Sequence, residues 1–321
     1  MQIPSPAISV VIPVYRAESI VGELVSRLVS TLESMETTFE ILLVEDRGPD
    51  RSWEAILEAA SADSRVKGIR LARNFGQHFA LTAGLDHALG EHVVVMDCDL
   101  QDDPADIPAL YAKALEGHDI VLGIKDERRH ATYRNLLSRL FFSAFNLLAD
   151  NQTANINEGS FSVLSRRTVN AFRQYKDTHR HYLMILRNMG FPRATVIVHH
   201  RQRFEGHSSY SFRKLFRLAL DGVTSQSTKL LRISIGLGFA YVLAAIGAVA
   251  YLLVRYFAFD EKPTTGWSST IVLLLASTGL ILMALGILGL YIGNIYEQVK
   301  GRPLYVVAAE TNMQTTDHPN P

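Results

Sequence analysis

At 321 residues the chain has room for one catalytic domain of ordinary size plus a membrane segment. Lys plus Arg and Asp plus Glu balance at 32 each, so the basic excess expected of a nucleic-acid-binding protein is missing. A single cysteine, Cys98, excludes an intrachain disulfide and a multi-cysteine zinc site, and suits a cytosol-facing catalytic part.

The first residues, Met1-Gln2-Ile3-Pro4-Ser5-Pro6, lack the positive region of a signal peptide. The apolar run that follows is short and broken by Pro13, so it reads as a first strand. Short apolar runs then alternate with amphipathic stretches. Strands are expected at 8–12, 39–44, 66–71, 92–96 and 119–124, and helices at 20–35, 51–62, 79–88 and 105–116. That alternation predicts a parallel, doubly wound α/β sheet. Ligands of such sheets sit beyond the carboxyl ends of the strands, where Asp46 and the cluster 97–101 both fall.

An unusually apolar helix is expected at 132–149, carrying Arg134 and Arg139 and preceded by Arg128 and Arg129. It reads equally as a helix packed on the sheet and as one lying at a bilayer surface. Further strands are expected at 159–164 and 194–199, with helices at 165–174 and 180–189. A polar loop, 201–210, leads into a basic helix at 212–229.

Two uncharged apolar runs follow, 233–254 and 270–296, each long enough to cross a bilayer. Lys229 and Arg232 precede the first, Lys300 and Arg302 follow the second, and the loop between them balances Arg255 and Lys262 against Asp260 and Glu261. That modest positive bias places both termini, and the catalytic part, on the cytoplasmic side. Gly289 and Gly293 form a GxxxG, and the spans or tail offer surfaces for a homo-oligomer. The tail after Val307 is polar and is expected to fray.

The chemistry concentrates in Asp97-Cys-Asp-Leu-Gln101, directly after the apolar run 93–96. In an extended segment Asp97, Asp99 and Gln101 share one face, because the side-chain period is two. Two carboxylates and an amide on one face are oxygen ligands for a hard divalent cation, Mg²⁺ or Mn²⁺, shared with substrate phosphates. Cys98 then points away as a small packing residue. Asp46, at a strand end before a tight turn, is placed to accept from a nucleobase N–H or a ribose hydroxyl. Its alternative role, capping the helix near Ser52, suits Asp50 better.

Neither a P-loop nor a GxGxxG occurs, which disfavours P-loop kinases and NAD enzymes, and HExxH is absent. His179, His181, His199 and His200 lack an accompanying ligand set and read as surface or loop residues. On a cytoplasmic face the sequon at Asn151 is a chance match.

In order along the chain stand Ser9-Val-Val-Ile-Pro-Val-Tyr15, Val44-Glu-Asp-Arg-Gly-Pro-Asp50, Arg73-Asn-Phe-Gly76 and Asp97-Cys-Asp-Leu-Gln-Asp102. Then come Arg203-Phe-Glu-Gly-His-Ser-Ser-Tyr210, two apolar spans and Arg302-Pro-Leu-Tyr305. This series resembles a family 2 glycosyltransferase of GT-A fold, and more narrowly the membrane-bound polyprenyl-phosphate glycosyltransferases related to dolichyl-phosphate mannose synthase. The resemblance covers nearly the whole chain. It implies a doubly wound mixed sheet followed by juxtamembrane amphipathic helices and two transmembrane helices.

The implied division is a nucleotide-sugar half at 1–128, an acceptor half with an interfacial helix at 129–210, a juxtamembrane helix at 211–232, the spans at 233–297 and a cytoplasmic tail at 298–321. Residue roles are implied as well. Pro13, Tyr15 and Arg73 would line the nucleotide pocket, with Asp46 on the base. Asp97, Asp99 and Gln101 would hold ribose, diphosphate and metal. Arg203, Ser208, Ser209 and Tyr210, with Arg128 and Arg134, would lie near the lipid phosphate.

Two departures stand out. Glu45 replaces the first of two aspartates usual in the second-strand motif, with little effect expected. In Glu158-Gly-Ser-Phe-Ser162, many relatives have Gly-Asp-Phe-Arg, and Ser160 takes the place of an aspartate that has been a candidate base. A phosphate monoester is already largely anionic at neutral pH, its second pKa being about 6, so a base contributes little. Glu158 is therefore expected to orient groups without being essential.

The expected activity is inverting transfer of a sugar from a nucleotide diphosphate, with UDP the expected nucleotide, to a polyprenyl phosphate. In bacteria that acceptor would be undecaprenyl phosphate, used at the inner membrane. A processive polysaccharide synthase is the rival enzyme, but neither Trp53 nor Trp267 sits in a QxxRW motif. A non-catalytic membrane scaffold built on a sugar-nucleotide fold is the rival of another class.

Overall fold

The computed structural model of the chain describes residues 5–125, 158–178, 180–199, 229–259 and 266–313. They fall in two compact units: the described parts of 1–131, 155–209 and 302–321, and those of 132–154 and 210–301.

The first unit is built on one mixed sheet of eight strands. In chain order these are β1 (Ile8–Val14), β2 (Phe39–Glu45), β3 (Val66–Leu71), β4 (His92–Val95), β5 (Ile120–Lys125), β6 (Glu158–Ser165), β7 (Arg193–Val198) and β8 (Val307–Thr311). Their order across the sheet is β7-β5-β6-β4-β1-β2-β3-β8. β4, β1, β2 and β3 run parallel, whereas β6 runs antiparallel to both β4 and β5. The sheet is thus mixed, not purely parallel.

The helices of this unit are α1 (Val21–Ser34), α2 (Ser52–Ala62), α3 (Gln77–His87), α4 (Ile107–Leu115), α5 (Arg166–Gln174) and α6 (Tyr182–Asn188). Apolar side chains alternate between the two sheet faces, as the period of two demands. Ile8, Val10, Ile12, Ile41, Leu43 and Val94 join one core with α1, α2 and α4. Val11, Leu42, Val44, Val93 and Val95 join a second with α3, α5 and α6. Because helices cover both faces, the central strands are buried throughout and read as continuous apolar runs. In α1, Val21, Leu24, Val25, Leu28 and Leu32 form the apolar stripe.

β1 runs through Pro13 to Val14, two residues past its expected end at Ile12. Residue 13 lies past the end of its β4 partner, since the last β1–β4 pair is Val11 with Val95. The missing N–H therefore leaves no ladder bond unmade.

The tail expected to fray instead forms β8, antiparallel to β3, with Gly68 opposite Thr311 and Ile69 opposite Glu310. Backbone pairing along an otherwise open sheet edge holds the segment, and Val307 and Ala309 pack against the two cores.

The second unit contains α7 (Lys229–Phe259) and α8 (Trp267–Val299). Windows of mean hydropathy 1.7 (Leu231–Ala248) and 2.6 (Ser269–Val299) make both long and apolar enough to cross a membrane. Their apolar side chains are largely uncovered by protein among the described residues, with Leu237 49%, Leu274 62% and Ile281 59% exposed. The polar interruptions bond inward: the Ser277 and Thr278 hydroxyls donate to the Leu274 carbonyl. Tyr241 Oη donates to the Leu273 carbonyl at 3.1 Å, linking the two helices. The segments 132–149, 201–210 and most of the helix expected at 212–229 lie outside the described residues.

Candidate active site

Beyond the carboxyl ends of β1, β2 and β4 lies a cleft of about 340 Å³. Pro13, Val14, Tyr15, Arg16, Ile20, Asp46, Gln77, Asp97, Cys98 and Asp99 line it. Of the residues expected around the donor, the fold thus brings Pro13, Tyr15, Asp46, Asp97 and Asp99 together. Three strands that stop at one sheet edge turn sharply there. Arg16, Arg47 and Leu100, each a few residues past a strand end, take left-handed φ values of 55°, 50° and 56°. Such conformations are uncommon for side-chain-bearing residues and concentrate at functional sites.

Asp46 is 3% exposed, and both its oxygens are engaged. The backbone N–H groups of Phe75 and Gly76 donate to Oδ1 and Oδ2 at 2.7 and 2.8 Å. Burial raises its pKa, opposed by those two bonds and by Arg73. Each oxygen keeps a second lone pair for a ligand.

Glu45 faces the neighbouring turn, accepting from the Gly48 N–H at 2.5 Å and from Arg70 Nε at 3.0 Å. Burial raises its pKa too, opposed by Gly48 and Arg70. Asp50 bonds the Ser52 hydroxyl and the Glu18 N–H, while the Arg51 N–H at the start of α2 donates to Glu18. The turn after β2 is therefore tied to the one after β1.

The 97–101 segment departs from expectation. β4 ends at Val95, after which Met96 makes one more bond to Val11 and the chain turns. Asp99 closes that turn by accepting from the Gln101 N–H at 3.2 Å, the local bonding typical of aspartate. Pairing partners have run out, and a 3₁₀ turn capped by Asp103 starts at Pro104. Asp97, Asp99 and Gln101 consequently do not alternate along an extended face, and Gln101 is not among the lining residues. Cys98 borders the cleft yet packs against the core, and burial pushes its thiol up to about 11.

Gln77 was not anticipated. It lines the cleft, and its Nε2 donates to Asp97 Oδ1 at 2.8 Å. Its place directly after Arg73-Asn-Phe-Gly76 was the available signal. Arg73 is exposed, stacks over the Phe75 ring at 4.1 Å and is not among the lining residues.

Ser160 is half-buried in β6 and stands at the same sheet edge, its carbonyl accepting from Ser162 Oγ at 2.9 Å. Glu158 opens β6 opposite Ile124. Arg128, Arg134, Arg203, Ser208, Ser209 and Tyr210 lie outside the described residues, as do His179 and His200. His199 is exposed, and its ring Nδ1 meets Asp106 Oδ1 at 2.8 Å.

Among the described residues no group of three or more His, Cys, Asp and Glu forms a complete metal cage. Asp97 and Asp99 supply hard carboxylate oxygens in the cleft. That donor set fits Mg²⁺ or Mn²⁺, which are commonly held by one or two carboxylates and completed by substrate phosphates and water.

The sequence has informative relatives. It is 35% identical over 309 residues to the undecaprenyl-phosphate 4-deoxy-4-formamido-L-arabinose transferase of Salmonella choleraesuis (strain SC-B67), covering 95% of this chain and 93% of that protein. It is 33% identical over 301 residues to the glycosyltransferase YkcC of Bacillus subtilis (strain 168), itself uncharacterised, covering 93% and 92%. Among solved structures, the mannosyltransferase PcManGT of Pyrobaculum calidifontis aligns over 92% of this chain and 88% of its own, at 15% identity and a TM-score of 0.46. The family model for glycosyl transferase family 2 matches residues 9–173. The chain belongs to glycosyl transferase family 2.

Proposed function

We propose that this family 2 glycosyltransferase moves a sugar from a nucleotide diphosphate sugar, with UDP the expected nucleotide, onto a polyprenyl phosphate. In a bacterial host the acceptor is undecaprenyl phosphate. The observation that carries this reading is the near-full-length relationship to an undecaprenyl-phosphate sugar transferase. The acidic cleft and the two membrane-length helices support it.

In this reading Asp46 receives the nucleobase, with Tyr15 and Pro13 along the pocket. Asp97 and Asp99 would hold a divalent cation, and Gln77 fixes the Asp97 carboxylate. The cation, Mg²⁺ or Mn²⁺, supplies neutralisation of the charge that develops on the leaving diphosphate. An acceptor phosphate oxygen attacks the anomeric carbon as the bond to the diphosphate oxygen breaks, inverting the configuration. That oxygen is already anionic at neutral pH, so Ser160 in place of an aspartate does not remove a needed base. What the protein contributes is alignment of two anionic phosphates and cationic contacts. Arg203, Ser208, Ser209 and Tyr210, with Arg128 and Arg134, are assigned to the lipid phosphate. α7 and α8 anchor the enzyme in the inner membrane, with the catalytic domain and both termini cytoplasmic.

The test incubates the purified protein with undecaprenyl phosphate, Mg²⁺ or Mn²⁺ and a panel of nucleotide sugars, followed by mass spectrometry of the extracted lipid. A glycosyl-phosphoryl lipid from one donor supports the reading. Sugar on no lipid, with hydrolysis of no nucleotide sugar, overturns it.

A further inference from the structure

The segment after α8 touches the element pair that positions two carboxylates of the cleft. Val306 accepts from the Ala72 N–H at 2.8 Å, at the point where the chain leaves β3. Tyr305 Oη donates to Asp86 Oδ2 at 2.9 Å, on the last turn of α3. β8 then pairs along β3 from Leu71 back to Gly68. At its end Asn312, in a left-handed conformation with φ of 56°, donates from Nδ2 to the carbonyls of Ala60 and Val66 at 2.7 and 2.9 Å.

Between Ala72 and Asp86 lie three groups that hold Asp46 and Asp97. The Phe75 and Gly76 N–H groups grip both oxygens of Asp46. Gln77, one residue on, donates to Asp97. The C-terminal segment thus clamps both ends of the unit that orients these two side chains. Tyr305 also stands among charges at its own end. Asp86, Arg173 and Glu310 face its hydroxyl, and His87 lies beside its ring.

We propose that residues 305–312 form a strap that positions the donor site, with Tyr305 a positioning residue for Asp46 and Asp97 acting through α3. This rests on the reading of the cleft as a nucleotide site. Tyr305 is not among the residues that line the cleft. It fixes the last turn of α3, and through the length of that helix the place of the Gly76 N–H and the Gln77 amide at its start.

The experiment uses the full chain in detergent. Titration calorimetry measures affinity for a panel of nucleoside diphosphates with Mn²⁺, and kinetics separate the KM values of donor and acceptor. Tyr305→Phe keeps the ring and removes the bond to Asp86. It is expected to weaken nucleotide affinity and raise donor KM on the order of fivefold, the net worth of one hydrogen bond, while leaving acceptor KM unchanged. Asn312→Ala, at the far end of the strap, is expected to move the same two quantities in the same direction. Lower melting temperatures in both variants with unaltered nucleotide affinity and donor KM overturn the strap and leave the nucleotide site standing. Failure of the unaltered chain to bind any nucleoside diphosphate overturns the nucleotide reading and the strap with it.

Discussion

Asp99 combines two jobs in one carboxylate: it closes the turn after β4 through the Gln101 N–H, and it faces the cleft. Asparagine keeps the first and loses the charge needed for the second. Asp99→Asn is therefore expected to lower transfer by about 10²–10³-fold, the usual loss when a transition-state stabiliser is removed. Glu158→Gln should retain most of the activity, because the acceptor needs no deprotonation. Turnover measured beside nucleotide binding checks the pair, and a dead Glu158→Gln that still binds nucleotide would restore an essential base. A second carboxylate acts on stability. Burial of Asp119 opposes its charge, but bonds from Arg167 and Ser165 outweigh this and lower its pKa from the ordinary 3.8. Its stabilisation is present above that ordinary value and lost as pH falls through the lowered one. Thermal unfolding from about pH 6 downward should show an acid-side loss in the wild type that Asp119→Asn flattens.

At the scale of elements, α3 is the piece on which the cleft depends, and glycine lets it lie close to the sheet. A Cβ at Gly84 would run into Val11 Cγ1 and press on Val44 Cγ2 at 3.2 Å. Both valines belong to central strands that cannot retreat. Gly84→Ala is expected to destabilise the fold by about 1–3 kcal/mol, read as a lower melting temperature. Because α3 carries Gln77, donor KM should rise in the same variant. The type of each of these elements was legible in sequence, since buried strands and period-3.6 helices have different apolar spacing. Their ends were not. Pro13 reads as a stop until β4 is known to have ended beside it, and 97–101 reads as extended until its partners are known to have run out.

The whole molecule joins a sheet domain to two helices whose apolar side chains are largely without protein cover among the described residues. Burying such surface in lipid is the favourable alternative to exposing it to water. The chain is expected to stay in the membrane pellet after alkaline carbonate and to leave it with detergent. Immunoblotting of both fractions checks this, and release by carbonate alone would contradict a spanning arrangement.

By itself the sequence determined the fold class, the two apolar spans and the chemical character of Asp46, Asp97 and Asp99. Periodicity, length and side-chain chemistry are local properties. Only the tertiary structure decided the mixed strand order, the pairing of β8 with β3, the turn that ends the extended alternation of 97–101 and the bond from Gln77 to Asp97. Each of those depends on which backbone groups find partners far along the chain. Gly68 and Thr311 face one another across the sheet, and no local pattern announces such a pair.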